Sequence, residues 1–81
     1  MENNNEKAVA VVLKGKVEWF DPQKGFGFIA RDDKKKDIFV HYTDITMPGY
    51  KLLMADDIVS FEEENRFGKL VAAKATLLER K

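Results

Sequence analysis

Lys24-Gly25-Phe26-Gly27-Phe28-Ile29 is the stretch whose reading decides the fold. Glycine and phenylalanine alternate through it, which is the period of a strand and not the 3.6-residue period of a helix. A helix would lose about 1 kcal/mol at each glycine. As a strand, the segment puts Phe26 and Phe28 on one face and Gly25, Gly27 and Ile29 on the other. A face left nearly bare by glycine suits a strand coiled tightly into a small barrel.

Working outward, Lys14-Gly15-Lys16-Val17-Glu18-Trp19-Phe20 is rich in β-branched and aromatic residues and predicts a strand over roughly 11–20. Asp21-Pro22-Gln23-Lys24 is a turn, with Pro22 setting φ at its second position. After a charged loop at Asp32–Lys36, a third strand runs from Asp37 to Tyr42. Alternation there gives Phe39 and His41 one face and Ile38, Val40 and Tyr42 the other. Residues 43–56 form a long connection, with one helical turn at Thr43-Asp44-Ile45 and a second turn at Met47-Pro48-Gly49-Tyr50. Asp57–Glu62 alternates as a fourth strand, Asn65-Arg66-Phe67-Gly68 is a hairpin connection, and Lys69 to Leu78 is its partner strand. Local propensity disagrees there, since Ala72-Ala73-Lys74-Ala75 and Leu77-Leu78-Glu79-Arg80 favour helix. Pairing with strand four is the stronger reading. The fold class that follows is all-β, a small five-stranded antiparallel barrel over residues 11–79 behind a flexible, disordered or extended tail at 1–10, polar over 1–7.

Composition narrows the function. Eighty-one residues allow one domain. Without cysteine there is no disulfide, thiolate metal site or cysteine nucleophile. A lone histidine and a lone serine, Ser60 within a strand, leave no nucleophile–base pair, so the chain is expected not to be an enzyme and to need no cofactor or metal. The acidic start and the six-residue apolar run Ala8–Leu13 fit neither an export signal nor a membrane span, and a cytoplasmic protein is expected. That apolar run does offer an edge for a weak dimer of an otherwise monomeric domain.

Six of the nine aromatics lie within residues 19–42. A five-stranded barrel cannot enclose them together with Val59, Phe61 and Leu70, so the larger set belongs outside in one patch. Lys16, Lys24 and Lys34–Lys36 lie close to it in sequence. An exposed aromatic platform rimmed by lysine is what single-stranded nucleic acid requires, because bases stack on rings while ammonium groups follow phosphates. Lys24–Ile29 also matches the first half of the ribonucleoprotein motif, but too little chain precedes it for the strand, helix and strand that an RNA-recognition domain needs. A protein-interaction barrel docking a peptide on the same rings is the competing class.

Three motifs taken together go further. Gly15-Lys16-Val17-Glu18-Trp19-Phe20, Lys24-Gly25-Phe26-Gly27-Phe28-Ile29 and Asp37-Ile38-Phe39-Val40-His41-Tyr42, in this order, resemble the signature of the bacterial cold-shock proteins. The resemblance runs from about Gly15 to Leu77 and implies an oligonucleotide-binding barrel that binds single-stranded RNA and DNA and keeps RNA unpaired. It implies stacking roles for Trp19, Phe20, Phe26, Phe28, Phe39, His41 and Tyr42, with Tyr50 taking a further base from the long loop. It also implies phosphate contacts for Lys16 and Lys24, and a base-amine contact for Asp37. For Trp19 it opposes simple alternation, which after Val17 would bury the indole. The chain departs from the pattern at Glu18, where lysine is common, at Asp21, where asparagine is usual, and at Lys69-Leu70-Val71-Ala72. The last departure leaves open whether Arg66 and Lys69 reach a phosphate.

Zero net charge, 14 basic against 14 acidic groups, argues at first against a nucleic-acid binder. The balance is uneven along the chain, however: net +2 over residues 14–42, −5 over 43–64 and +4 over 65–81. Glu62-Glu63-Glu64 reads as a solvated edge that repels nucleic acid from the far side. Affinity is therefore expected to come more from stacking than from phosphate contacts.

Overall fold

A computed structural model of the chain describes residues 11–47 and 52–80. Among these residues five strands, β1 (Val12–Asp21), β2 (Phe26–Arg31), β3 (Ile38–His41), β4 (Ile58–Arg66) and β5 (Lys69–Glu79), are joined by turns and a 3-10 turn at Tyr42–Asp44. They close into a barrel in the order β1-β2-β3-β5-β4. Four seams are antiparallel, and β3 meets β5 in parallel at Phe39↔Val71. An odd-membered ring cannot alternate strand direction throughout, so a closed five-stranded barrel must contain one such seam. The expected tail at residues 1–10 and the expected turn residues Pro48, Gly49 and Tyr50 lie outside the described residues.

Alternation supplies the core. Val17, Ile29, Ile38, Val40, Val59 and Phe61 point inward from β1 to β4, and Ile45 and Leu53 from the long connection join them. Full burial of each aliphatic side chain contributes about 1.5–3 kcal/mol. Phe61 is the one fully buried aromatic among the described residues. Leu70, expected inside, stands half exposed, and β5 reaches the core with Ala72 and Ala75 instead.

β5 is a strand despite its helix-favouring composition. Its register against β4 slips twice, between Ile58 and Val59 and between Ser60 and Glu62. At the second slip Lys74 adopts φ 52°. Each slip adds a residue to β5, which bends it from β4 across to β3. Ahead of the bend the consecutive Val71, Ala72 and Ala73 are all buried, and at the bend the small Ala75 sits where strand and loop converge. Thr46 N–H donates to the Ala75 carbonyl there at 2.7 Å.

Two buried polar groups tie the ring together. Arg31, 8% exposed, donates to Asp33 and to Glu63, fastening the end of β2 to β4. Asp57, 1% exposed, accepts from Met54 N–H at 2.9 Å and from the Arg80 guanidinium at 2.9 Å. Glu62–Glu64 is the solvated edge that its sequence suggests, with Glu63 and Glu64 exposed, but all three acids carry ion-pair partners. Glu62 pairs with Lys74, Glu63 with Arg31 and Glu64 with Arg66.

Candidate nucleic-acid interface

The outer face of β1, β2 and β3 is built by two cross-strand rows. Trp19 pairs with Phe28 and Phe28 with Phe39; in the next row Asp21 pairs with Phe26 and Phe26 with His41. Ring centroids follow at 5.5 Å for Trp19–Phe28, 5.8 Å for Trp19–Phe26, 5.6 Å for Phe26–Phe39 and 5.8 Å for Phe28–Phe39. Phe39 leads to His41 at 6.4 Å, and His41 to Tyr42 at 4.7 Å. Six rings thus make one continuous surface, open at both ends, where Trp19 is 45% and Tyr42 48% exposed.

Trp19 reaches this face through a bulge. The pairing passes from Val17↔Ile29 directly to Trp19↔Phe28, so Glu18 is the extra residue of β1. Without it, alternation would set Trp19 opposite Gly27 and inside the barrel. The same slip turns Phe20 inward: it pairs with Gly27, packs against the core and joins none of the ring contacts. Phe20 is therefore separated from the other rings that the sequence grouped with it. Gly27 is required here, because a Cβ would overlap the Trp19 carbonyl oxygen and lie 2.7 Å from Phe20 Cα.

Tyr42 also departs from alternation. Read as part of β3 it would face inward, but the chain enters the 3-10 turn there and the phenol swings out beside His41. Its N–H donates to the Gly25 carbonyl at 2.8 Å, and its ring lies where a Cβ on Gly25 would stand, 2.6 Å away. His41 caps the turn, its Nδ1 accepting from Thr43 N–H at 3.3 Å. Asp21 takes the place expected for asparagine without loss, since its Oδ1 accepts from Gln23 N–H at 2.9 Å and Lys24 N–H at 3.2 Å.

Lys16 lies exposed on β1 three positions before Trp19, and Lys24 lies exposed in the turn leading to Phe26. Asp37 is exposed immediately before β3. Tyr50 is outside the described residues. Among the described residues no cluster could hold a metal ion. No helix there is long and apolar enough to cross a membrane.

The sequence left Arg66 and Lys69 undecided, and the structure separates them. Arg66 donates to both Asp44 carboxylate oxygens, at 2.7 and 2.9 Å, and to Glu64. These bonds raise its pKa and spend its donors within the protein. Lys69 Nζ instead sits 4.1 Å from the Phe39 ring centroid, a cation–π contact at the margin of the aromatic face. Only the parallel seam of β3 and β5 makes them neighbours, so strand-by-strand reading carries no signal for it.

Residues 13–78 match the family model of the 'Cold-shock' DNA-binding domain. The chain belongs to the cold-shock domain family. A major cold shock protein of Micrococcus luteus is 44% identical over 64 residues, covering 79% of this chain and 96% of the relative. A cold shock-like protein of Aquifex aeolicus is 49% identical over 50 residues, covering 62% and 71%. Among solved structures, a Drosophila Unr chain described as CSD456 superposes with a TM-score of 0.75 over 91% of this chain and 29% of its own length. At 19% identity that likeness concerns the fold alone. In this cold-shock domain the matched segment contains all six connected rings and excludes residues 1–12.

Proposed function

We propose that this cold-shock domain binds single-stranded RNA and DNA by stacking unpaired bases on the Trp19, Phe26, Phe28, Phe39, His41 and Tyr42 face, and acts on RNA as a passive chaperone. The observation that carries the reading is the unbroken run of six outward rings, none more than 6.4 Å from the next. Every base has a π face, so such a surface tolerates sequence and gains about 1–3 kcal/mol per stacked base. A duplex hides those faces in its own stack and is a poor ligand.

Lys16 and Lys24 supply phosphate contacts at the rim, and Asp37 accepts from a base amine. The chaperone step needs no ATP: binding open strands and not paired ones shifts the pairing equilibrium by the difference in affinity.

Titrating Trp19 fluorescence with oligothymidine and with a duplex of the same length tests the reading. Quenching by the single strand alone is expected. With about three to five phosphate contacts, log affinity should fall with log salt by about 0.7 per contact. No quenching by either ligand would refute it. Binding of peptides with no salt dependence would favour a protein-docking barrel.

A further inference from the structure

The apex of the β4–β5 hairpin carries a side chain for which the barrel has no use. Arg66 pairs with Lys69, so Phe67 and Gly68 are the two central residues of the turn. Both have positive φ, 54° at Phe67 and 83° at Gly68. Such turns favour glycine or asparagine at the first of these positions, because a Cβ there crowds the following carbonyl and only the short amide of asparagine offsets that by hydrogen-bonding locally. Phe67 is nevertheless fully exposed, 107% of its reference area, so no contact in the domain compensates for that backbone. Packing gives no reason for a phenylalanine here.

Its surroundings do. Beside the apex, a groove of about 480 Å³ separates the hairpin from the loop that precedes β3, lined by Lys35, Lys36, Asp37, Gly68, Lys69 and Leu70. Arg31 at its floor is committed to Asp33 and Glu63. Lys35, Lys36 and Lys69 form no ion pair among the described residues, and Asp37 is the one carboxylate that lines the groove. Lys69 joins the groove to the ring face, because it lines the one and lies over Phe39 in the other.

We propose that Phe67, with Lys35, Lys36 and Lys69, forms a further subsite for a single strand running on from Phe39, its phosphates over the lysines and one base stacked on the Phe67 ring. This inference rests on the function proposed above and adds a contact outside the six-ring face. A base taking Phe39 displaces the Lys69 ammonium toward the groove, where a phosphate receives it. Charge complementarity favours a polyanion such as nucleic acid, since three lysines without an ion pair among the described residues meet one carboxylate in the groove.

Oligothymidines of about 4 to 10 nucleotides, titrated against Trp19 fluorescence in the full chain, distinguish the outcomes. Phe67→Ala and Phe67→Asn should bind the shortest strands as the native chain does and the longest at least about 5-fold more weakly, while Phe67→Trp retains the native affinity. Phe67→Asn should at the same time raise the urea midpoint, so its weaker binding cannot come from a damaged fold. Native affinity at every length in both variants would overturn the subsite, and loss of self-association by sedimentation in those variants would assign the apex to a second copy. If no oligonucleotide quenches the native chain, the parent reading fails as well, and that is seen before any variant is compared.

Discussion

Phe39 and Phe61 are the same residue type placed to opposite ends. Phe61 is 1% exposed in the barrel interior, with the Arg31 guanidinium 6.0 Å from its ring centroid. Phe39 is half-buried on the outer face, in contact with Phe26, Phe28 and His41. Truncating each to alanine should give opposite signatures. Phe61→Ala empties a core position and should cost about 3–5 kcal/mol of stability. Phe39→Ala should leave the urea midpoint little changed and cost about 1–3 kcal/mol of single-strand affinity. Phe26→Ala should follow Phe39→Ala. If either outer-face variant unfolds the domain, those rings hold the fold together and the face assignment is wrong.

At the scale of elements, β5 shows packing overriding propensity. Its alanines favour helix, yet they sit where a strand must pass over a filled interior, and Ala72 and Ala75 have no exposed surface. Ala75→Val raises strand propensity, so local preference predicts a gain in stability. The parallel bridge between Ile45 and Ala75 leaves no room for the added methyl groups, and overpacking predicts a loss of about 1–3 kcal/mol. Urea denaturation decides between them, and a loss is expected. The bulge at Glu18 is the other element-scale device. It was invisible to alternation, because a single extra residue leaves no mark on the pattern until the partner strand is in place.

For the whole molecule, the zero net charge conceals an ordered surface. β4, which carries Glu62–Glu64, pairs as a strand with β1 and β5 and with neither β2 nor β3, so the acids lie away from the centre of the ring face. Ion pairs with Lys74, Arg31 and Arg66 further mute them. The same network makes stability sensitive to acid. Hydrogen bonding from Arg31 holds the Asp33 carboxyl below its ordinary 3.8. A carboxylate whose pKa is lowered by folding contributes stability above the unfolded value and loses it as pH falls through the folded one. Stability should therefore be level near neutrality and decline below about pH 4, and Asp33→Asn should shallow that decline in urea midpoints measured across pH.

Residue order alone determined a good deal: the period-two segment around Phe26 and Phe28, the hairpins, the all-β class and the identity of the outward phenylalanines. These depend on local alternation, which each strand carries within itself. It erred at Phe20, Tyr42 and Leu70. A bulge, a 3-10 turn and a bent strand placed those residues, and each depends on a partner distant in sequence. Closure of the ring decided the rest. It set β5 parallel to β3 and brought Lys69 onto Phe39, because contacts across a closed seam join residues about thirty positions apart that no local pattern connects.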